Sequence, residues 1–172
     1  TRFDAVIIGA GAAGLMCSGT AGQRGRKVLL LERSPSVGKK ISISGGGRCN
    51  FTHLRVDPKN YLSDNPHFCK SALARYSPND FIELVQRHNI AYHEKELGQL
   101  FCDDSSKQIV KMLLDECQWA GVEIITDCQI ESVERSDCFV VRSNQGLIFA
   151  EKLVIASGGL SIPSMGASGF GY

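Results

Sequence analysis

The chain's clearest hydrophobic signal is the run Ala5-Val6-Ile7-Ile8, four apolar positions with no polar residue between them. A short run without alternation predicts a strand covered on both faces, as in a parallel sheet. Gly9 to Gly14 turns the chain. Ala12 to about Arg24 then predicts a helix of small residues, closed by Gly25. Lys27-Val28-Leu29-Leu30-Leu31 is a second buried strand, ending at Glu32. Together these make a β-α-β unit of about thirty residues.

The periodicity then lapses. Arg33 to Lys59 is rich in glycine and lysine and centres on Ser44-Gly45-Gly46-Gly47-Arg48-Cys49-Asn50. A loop of this length is usually functional or disordered, and flexible linkers seldom carry so many cations. Helical signals return at Ser77-Pro78-Asn79-Asp80, with Ser at the N-cap, Pro at the first helical position and an acid in the first turn. That helix is expected to reach about His88. Ser105-x-x-Gln108 reads as a capping box. Behind it, Ile109, Val110, Leu113, Leu114 and Cys117 recur at helical spacing to about Gly121. Val122–Ile125 predicts a third buried strand. Three short strands follow, at about 128–134, 138–143 and 147–150, the last two joined by a turn at Asn144-Gln145-Gly146. This is the pattern of an antiparallel β-meander. Leu153-Val154-Ile155-Ala156 predicts a further buried strand, ending in Ser157-Gly158-Gly159. The expected fold is α/β: a Rossmann-type FAD/NAD(P)-binding fold with a parallel sheet and a β-meander crossover, similar to the glutathione-reductase type.

Composition narrows the class. Of 172 residues, 43% are hydrophobic and 22% charged, which excludes disorder and collagen-like repeats. The net charge of +1 gives no global signal for nucleic acid or membrane, but the distribution is uneven. Arg24 to Lys59 holds nine Lys/Arg against Glu32 and Asp57, whereas Glu94 to Asp137 holds eleven acids against four bases. The first stretch suits phosphate and the second a solvated face. Ala5 to Gly22 is uncharged, but its five glycines and the neighbouring Asp4 argue for a soluble core rather than a signal peptide or membrane span. The seven cysteines are odd in number and no two have C-x-x-C spacing, so reduced thiols in a cytoplasmic protein are expected. Cys49, His53, His67 and Cys69 match no compact zinc motif, and no metal is expected. The Gly-rich stop at Phe170-Gly171-Tyr172 has no closing element, which reads as a fragment of a longer protein.

The chemistry begins at Gly9-x-Gly11-x-x-Gly14, between a predicted strand and a predicted helix, where this weak motif becomes strong. Gly9 permits the tight turn, Gly11 lets a pyrophosphate approach the backbone, and Gly14 lets helix and strand pack closely. With Ala12 and Ala13, the helix N-terminus offers free N–H groups to phosphates. Glu32, at the end of the second strand, is placed to bind ribose hydroxyls and to repel a 2′-phosphate, which favours FAD or NAD over NADP. The long cationic loop and the meander favour FAD, because a plain NAD domain continues β-α-β at this point.

Several longer stretches carry a specific resemblance. They are Lys40 to Thr52, Asn65 to Tyr76, Leu97 to Asp104, Gly158 to Pro163 and Gly166 to Tyr172. The chain resembles the BaiN/YhiN-type FAD-dependent flavoproteins over essentially its whole length. It is most similar to the YhiN-like branch, which carries Gly-Gln-Leu-Phe-Cys where others have Gly-Arg-x-Phe-Pro. Family members are about twice as long, so the resemblance makes residues 1–172 the N-terminal portion of a FAD-binding domain. It implies FAD held by Gly9, Gly11, Ala12, Ala13 and Gly14, by Glu32 and Arg33, and by Lys40. It adds the loop Ser44, Gly45, Gly46, Gly47, Arg48, Cys49 and Asn50, the backbone of Ile130 against adenine, and the turn Ser157, Gly158 and Gly159. Glycine N–H groups of the loop form an anion nest in this reading, and Lys40 and Arg48 offset diphosphate charge.

The activities implied are those of an oxidoreductase, with the flavin carrying the redox chemistry. They are reduction of a carbonyl-conjugated C=C bond, including a uridine of ribosomal RNA, and, as an alternative, oxidation of a small amino-ketone. NAD(P)H, as a transient electron donor, would bind elsewhere, since the chain has a single dinucleotide fingerprint. Two other readings stay open. One is an NAD-binding module of a dehydrogenase. The other is an RNA-associated protein using Arg24–Lys59, against which stands Phe51 as that stretch's sole aromatic residue. Arg48 and Cys49 are the catalytic candidates. A thiol beside Arg48 acquires a lowered pKa if the cation dominates; otherwise Cys49 is a small filler near the flavin. Dithiol flavoenzymes need two close cysteines, usually near each other in sequence; the chain is expected to offer no such pair, and catalysis to involve no protein disulfide.

Overall fold

A computed structural model describes residues 2–160. In chain order the elements are β1 (Arg2–Ile8), α1 (Ala12–Gln23), β2 (Val28–Leu31), α2 (Lys39–Ile43), β3 (Asn50–His53), α3 (Lys70–Arg75) and α4 (Pro78–Arg87). Then come β4 (Tyr92–Glu94), β5 (Gln99–Cys102), α5 (Lys107–Trp119), β6 (Glu123–Ile125), β7 (Ile130–Arg135), β8 (Phe139–Ser143) and β9 (Gly146–Ile155). The chain divides into two units. One comprises the chain up to Ile41 and from Leu113 onward; the other is Ser42–Met112.

The first unit holds the Rossmann-type sheet, in the order β6-β2-β1-β9-β8-β7. The four strands β6, β2, β1 and β9 run parallel, while β8 and β7 add antiparallel. Every residue of β2 is buried, which explains why its sequence shows no alternation. One sheet face gathers Phe3, Val6, Ile8, Leu29, Leu31, Val141 and Ile148 into a single core. On α1, a Cβ added at Gly22 would lie 2.7 Å from the Ala120 carbonyl oxygen, so only glycine permits this approach to the end of α5. Gly25 takes the left-handed conformation (φ 74°) just past α1, as its predicted stop requires.

The two strands expected at 147–150 and 153–156 are one ten-residue strand, β9. Glu151-Lys152 looked like a boundary because two charges seldom interrupt a buried run. Both are exposed, and pairing with β1 continues through Ala150↔Phe3 and Lys152↔Ala5. The third meander strand and the fourth parallel strand are therefore the same segment.

The second unit holds a small antiparallel sheet, β3-β5-β4, that periodicity did not reveal. Its strands have three or four residues, too few for alternation to register. Phe51 of β3 packs edge-on to Tyr92 (5.5 Å) and beside Phe81 of α4 (6.0 Å). The start of α4 matches expectation: Ser77 Oγ accepts from Asp80 N, and Asp80 Oδ2 accepts from Ser77 N at 2.6 Å. The box expected at Ser105 forms by half. Ser105 Oγ accepts from Lys107 N (3.2 Å), but the Gln108 amide reaches Asp104 instead of closing the box.

Candidate dinucleotide-binding site

The first glycine turn separates three glycines by cause. Gly9 has φ 104°, and a Cβ there would lie 2.5 Å from the Ala156 carbonyl oxygen. A Cβ on Gly14 would lie 1.8 Å from the Gly9 carbonyl oxygen. Both are glycine because the chain itself fills the space. Gly11 is different: its φ of −83° and ψ of −168° suit any residue, and a Cβ there would meet nothing within 4 Å. The open space lies at the N-terminus of α1, whose N-cap makes no side-chain hydrogen bond. Ala12 and Ala13 are exposed in that first turn, where helix N–H groups lack intrahelical acceptors. A diphosphate fits this cradle, since it supplies acceptors where the helix has unmatched donors.

Glu32 closes the turn from the side. Its Oε2 accepts from Ala10 N (2.8 Å), and its Oε1 accepts from Ser34 N (2.9 Å) and Ser34 Oγ (2.7 Å). A carboxylate has about four lone-pair sites, so Oε2 retains capacity for one more donor such as a ribose hydroxyl. The Glu32 carbonyl accepts from Cys128 N (2.9 Å), which brings the segment leading to Ile130 beside the same strand end. Arg33 is exposed. Lys40 Nζ donates to the Gly159 carbonyl (3.2 Å), so it also secures the Ser157–Gly159 turn, in which Gly158 has φ 77°. Ala156 N donates to the Ile8 carbonyl (2.8 Å), setting that turn next to Gly9. The first unit thus assembles Gly9 to Gly14, Glu32, Lys40 and Ser157 to Gly159 at the carboxyl ends of its parallel strands, where α/β sheets bind ligands.

Ser44–Asn50 belongs to the second unit, where it is ordered rather than irregular. Gly45, Gly46 and Gly47 all have positive φ. A Cβ on Gly45 would lie 2.7 Å from the Phe101 ring. Beside the glycines, Arg48 N is directed to the Gly45 carbonyl (3.4 Å) and Cys49 N to that of Ser44 (2.9 Å), so these two amides are not free for phosphate. Arg48 itself is exposed. The Asn50 amide nitrogen donates to the Leu100 and Thr52 carbonyls (3.2 and 3.0 Å), leaving its oxygen as the group that can meet a ligand.

Of the two readings of Cys49, burial favours the small filler over the activated thiol. Cys49 is buried, and burial pushes its thiol up rather than Arg48 drawing it down; a hydrogen bond with Ser44 opposes the rise only in part. Its φ of 52° is unusual for a residue with a side chain. It also has a thiol neighbour. Cys102 N donates to the Arg48 carbonyl (2.9 Å), which by backbone dimensions holds the Cys49 and Cys102 α-carbons within about 7 Å. Burial, then the Cys49 thiol, pushes Cys102 to about 11. This corrects the expectation of no close cysteine pair, which spacing could not test because Cys49 precedes β3 and Cys102 ends β5, far apart in the chain. Another pairing missed by sequence is His93 Nδ1 with Asp103 Oδ1 at 2.7 Å. Among the described residues no three His, Cys, Asp or Glu side chains converge as metal ligands, and no helix is long and apolar enough to cross a membrane.

A β-α-β unit with an unfilled glycine at its helix N-terminus and a carboxylate closing its second strand places the protein in the class of Rossmann-type dinucleotide-binding domains. The particular lineage follows from comparison: the chain belongs to the HI0933-like Rossmann domain family, which matches residues 3–172. It is 59% identical over 172 residues to the ribosomal RNA dihydrouridine synthase of Escherichia coli (strain K12), covering 99% of this chain and 43% of that protein. It is 28% identical to the 3-dehydro-bile acid delta(4,6)-reductase of Clostridium scindens, over 96% of this chain and 41% of that protein. Among solved structures, the 3-ketosteroid-delta4-(5alpha)-dehydrogenase of Rhodococcus jostii shares the fold, with a TM-score of 0.66 at 16% identity, over 92% of this chain and 46% of that one. The chain spans less than half the length of these curated relatives. These matches agree with the resemblance carried by the motifs. The signature stretches at Ser161–Pro163 and Gly166–Tyr172 lie outside the described residues.

Proposed function

We propose that this chain forms part of the FAD-binding domain of a cytoplasmic oxidoreductase that reduces a carbonyl-conjugated carbon–carbon double bond, with a uridine of ribosomal RNA as its substrate. The observation that carries cofactor binding is Gly11, a glycine that neither backbone conformation nor packing demands. The relatives' names support the reaction, since one is a ribosomal RNA dihydrouridine synthase and another a 3-dehydro-bile acid delta(4,6)-reductase. FAD, when bound, supplies the hydride. The chain's own residues hold and orient: the α1 N-terminus and Gly11 take the diphosphate, Glu32 takes a ribose hydroxyl, and the Lys40 cation offsets phosphate charge. Uracil suits such a site because its C5=C6 bond is conjugated to the C4 carbonyl. Charge developing on that carbonyl calls for hydrogen-bond donors or a cation aimed at its oxygen. NAD(P)H serves as a transient donor bound outside this site.

The test uses full-length protein. It is expected to purify yellow and to release FAD. After anaerobic reduction it is expected to be reoxidised by uridine-containing RNA, with dihydrouridine formed in step. Rapid oxidation of an amine by dioxygen, with neither RNA nor an enone accepted, would replace this reading with that of an oxidase. Release of NAD in place of FAD would replace it with a dehydrogenase module.

A further inference from the structure

We infer that the Arg55–Tyr76 face of the second unit is a single-stranded RNA platform, where bases stack and phosphates are neutralised. The inference rests on the RNA-acting reading above and names the surface that serves it. The sequence directed attention to Arg24–Lys59, which lacks aromatics apart from Phe51, and Phe51 is packed between Phe81 and Tyr92. The aromatic residues come immediately afterwards. Tyr61 is half exposed, and Phe68 is 81% exposed and Leu62 95%. Exposed large apolar side chains at this density mark a contact surface rather than ordinary scatter.

A cavity of about 560 Å³ lies in this face, lined by Pro58, Lys59, Tyr61, Leu62, Pro66 and Lys70. Its walls are built rather than loose. Asp57 Oδ1 accepts from Lys59 N (2.9 Å), and Asn60 Oδ1 accepts from Asp57 N (3.0 Å), fixing the turn at Pro58–Asn60. Cys69 Sγ donates to the Pro58 carbonyl (3.8 Å), tying the start of α3 to that turn. Asp57 also lines the cavity, and its carboxylate is already engaged in the turn. Lys59 and Lys70 form no ion pair among the described residues. Over residues 55–76 the bases Arg55, Lys59, Lys70 and Arg75 outnumber the acids Asp57 and Asp64. A flat apolar wall beside two uncommitted ammonium groups matches one nucleotide: its base on Tyr61, its flanking phosphates on the lysines. Such stacking is tolerant of sequence, so this surface holds the strand while selection of the uridine takes place elsewhere.

The experiment measures binding of labelled oligouridylate to full-length, FAD-loaded protein as a function of KCl. Three forms are compared: wild type, Lys59→Ala/Lys70→Ala, and Tyr61→Ala. The double variant is expected to flatten the log–log salt slope by about 1.4, since each phosphate contact to a single strand contributes about 0.7. Tyr61→Ala is expected to weaken binding at least about fivefold with the slope unchanged. FAD content and reduction of a small enone should match wild type in both variants. Wild-type salt slopes and affinities in both variants, in a protein that still makes dihydrouridine, overturn the platform and leave the proposed function standing. Lowered melting temperatures with an unaltered salt slope mean that the face packs against another part of the protein, and also overturn it. A wild-type protein that neither binds RNA nor forms dihydrouridine removes both readings together.

Discussion

Two glycine clusters in this molecule look alike in sequence and obey different physics. In Gly9–Gly14 the nearest neighbours of Gly9 and Gly14 are backbone atoms of the same unit, whereas Gly11 faces open space. In Gly45–Gly47 all three residues have positive φ, and Gly45 alone is also pressed, by the Phe101 ring (2.7 Å) and the Asn50 backbone nitrogen (2.8 Å). The first cluster is a close-packed turn with one position left open. The second is a left-handed coil whose shape is set by dihedral angles. A motif search counts glycines equally; the contacts separate those that the chain's own packing requires from the one that it does not.

The sharpest break of this comparison lies within the first cluster. Gly14→Ala should cost about 3 kcal/mol or more, because its Cβ would collide with a backbone oxygen that cannot rotate away. Urea denaturation measures it. Gly11→Val, three residues earlier, should change stability by about 1 kcal/mol or less, since its dihedrals and surroundings accept a side chain. Its cost should fall on the cofactor instead, giving folded, colourless protein. Stoichiometric FAD in that variant would remove Gly11 from the site.

The second cluster should respond more mildly. Gly45→Ala combines a left-handed φ of 57° with the 2.7 Å approach to Phe101, and should cost about 2 kcal/mol. Gly46→Ala has the same kind of φ with nothing within 4 Å, and should cost about 1 kcal/mol. Adding Phe101→Leu should recover part of the first loss and none of the second. Equal recovery in both would show that the ring contact does not distinguish them.

How much of this was legible follows the same division. The β1-α1-β2 unit, the Gly9 turn and Glu32 were readable because each signal is local: a short apolar run, a spacing, a carboxylate at a strand end. Ser77 and Asp80 were readable for the same reason, being three residues apart. β9 was misread as two strands because exposure of Glu151 and Lys152 depends on where the sheet ends, not on their neighbours in sequence. The β3-β5-β4 sheet, the His93–Asp103 pair and the Cys49–Cys102 approach were hidden because their partners meet only across strands. The two readings of Cys49 could not be separated in the sequence for a related reason. Adjacency in sequence suggested a cation acting on a thiol, but the backbone exposes Arg48 and buries Cys49, so desolvation outweighs the charge.

The smallest expected effect compares the two units through their buried thiols. Cys102 in the second and Cys117 in the first are each pushed to about 11, mainly by burial. A raised value means that the folded state resists forming the thiolate. Below the unfolded value of about 9.0 both states are protonated and the stabilising contribution is fully present. Between about 9 and 11 the unfolded chain loses the proton first, so stability falls as pH rises. Melting temperature should therefore decline over that window, and Cys102→Ala and Cys117→Ala should each flatten the decline while lowering stability at pH 7. At pH 8 alkylation by iodoacetamide should be about a hundredfold slower at either thiol than at an ordinary cysteine, because the thiolate is the reacting form. The pair sharpens the comparison further. Cys102 has Cys49 as a charged neighbour once either ionises, whereas the Cys117 thiol donates to the Leu15 carbonyl at 3.3 Å. Cys49→Ala should therefore speed alkylation of Cys102 and leave Cys117 unchanged. If Cys102 reacts at the same rate with and without Cys49, the two thiols do not interact.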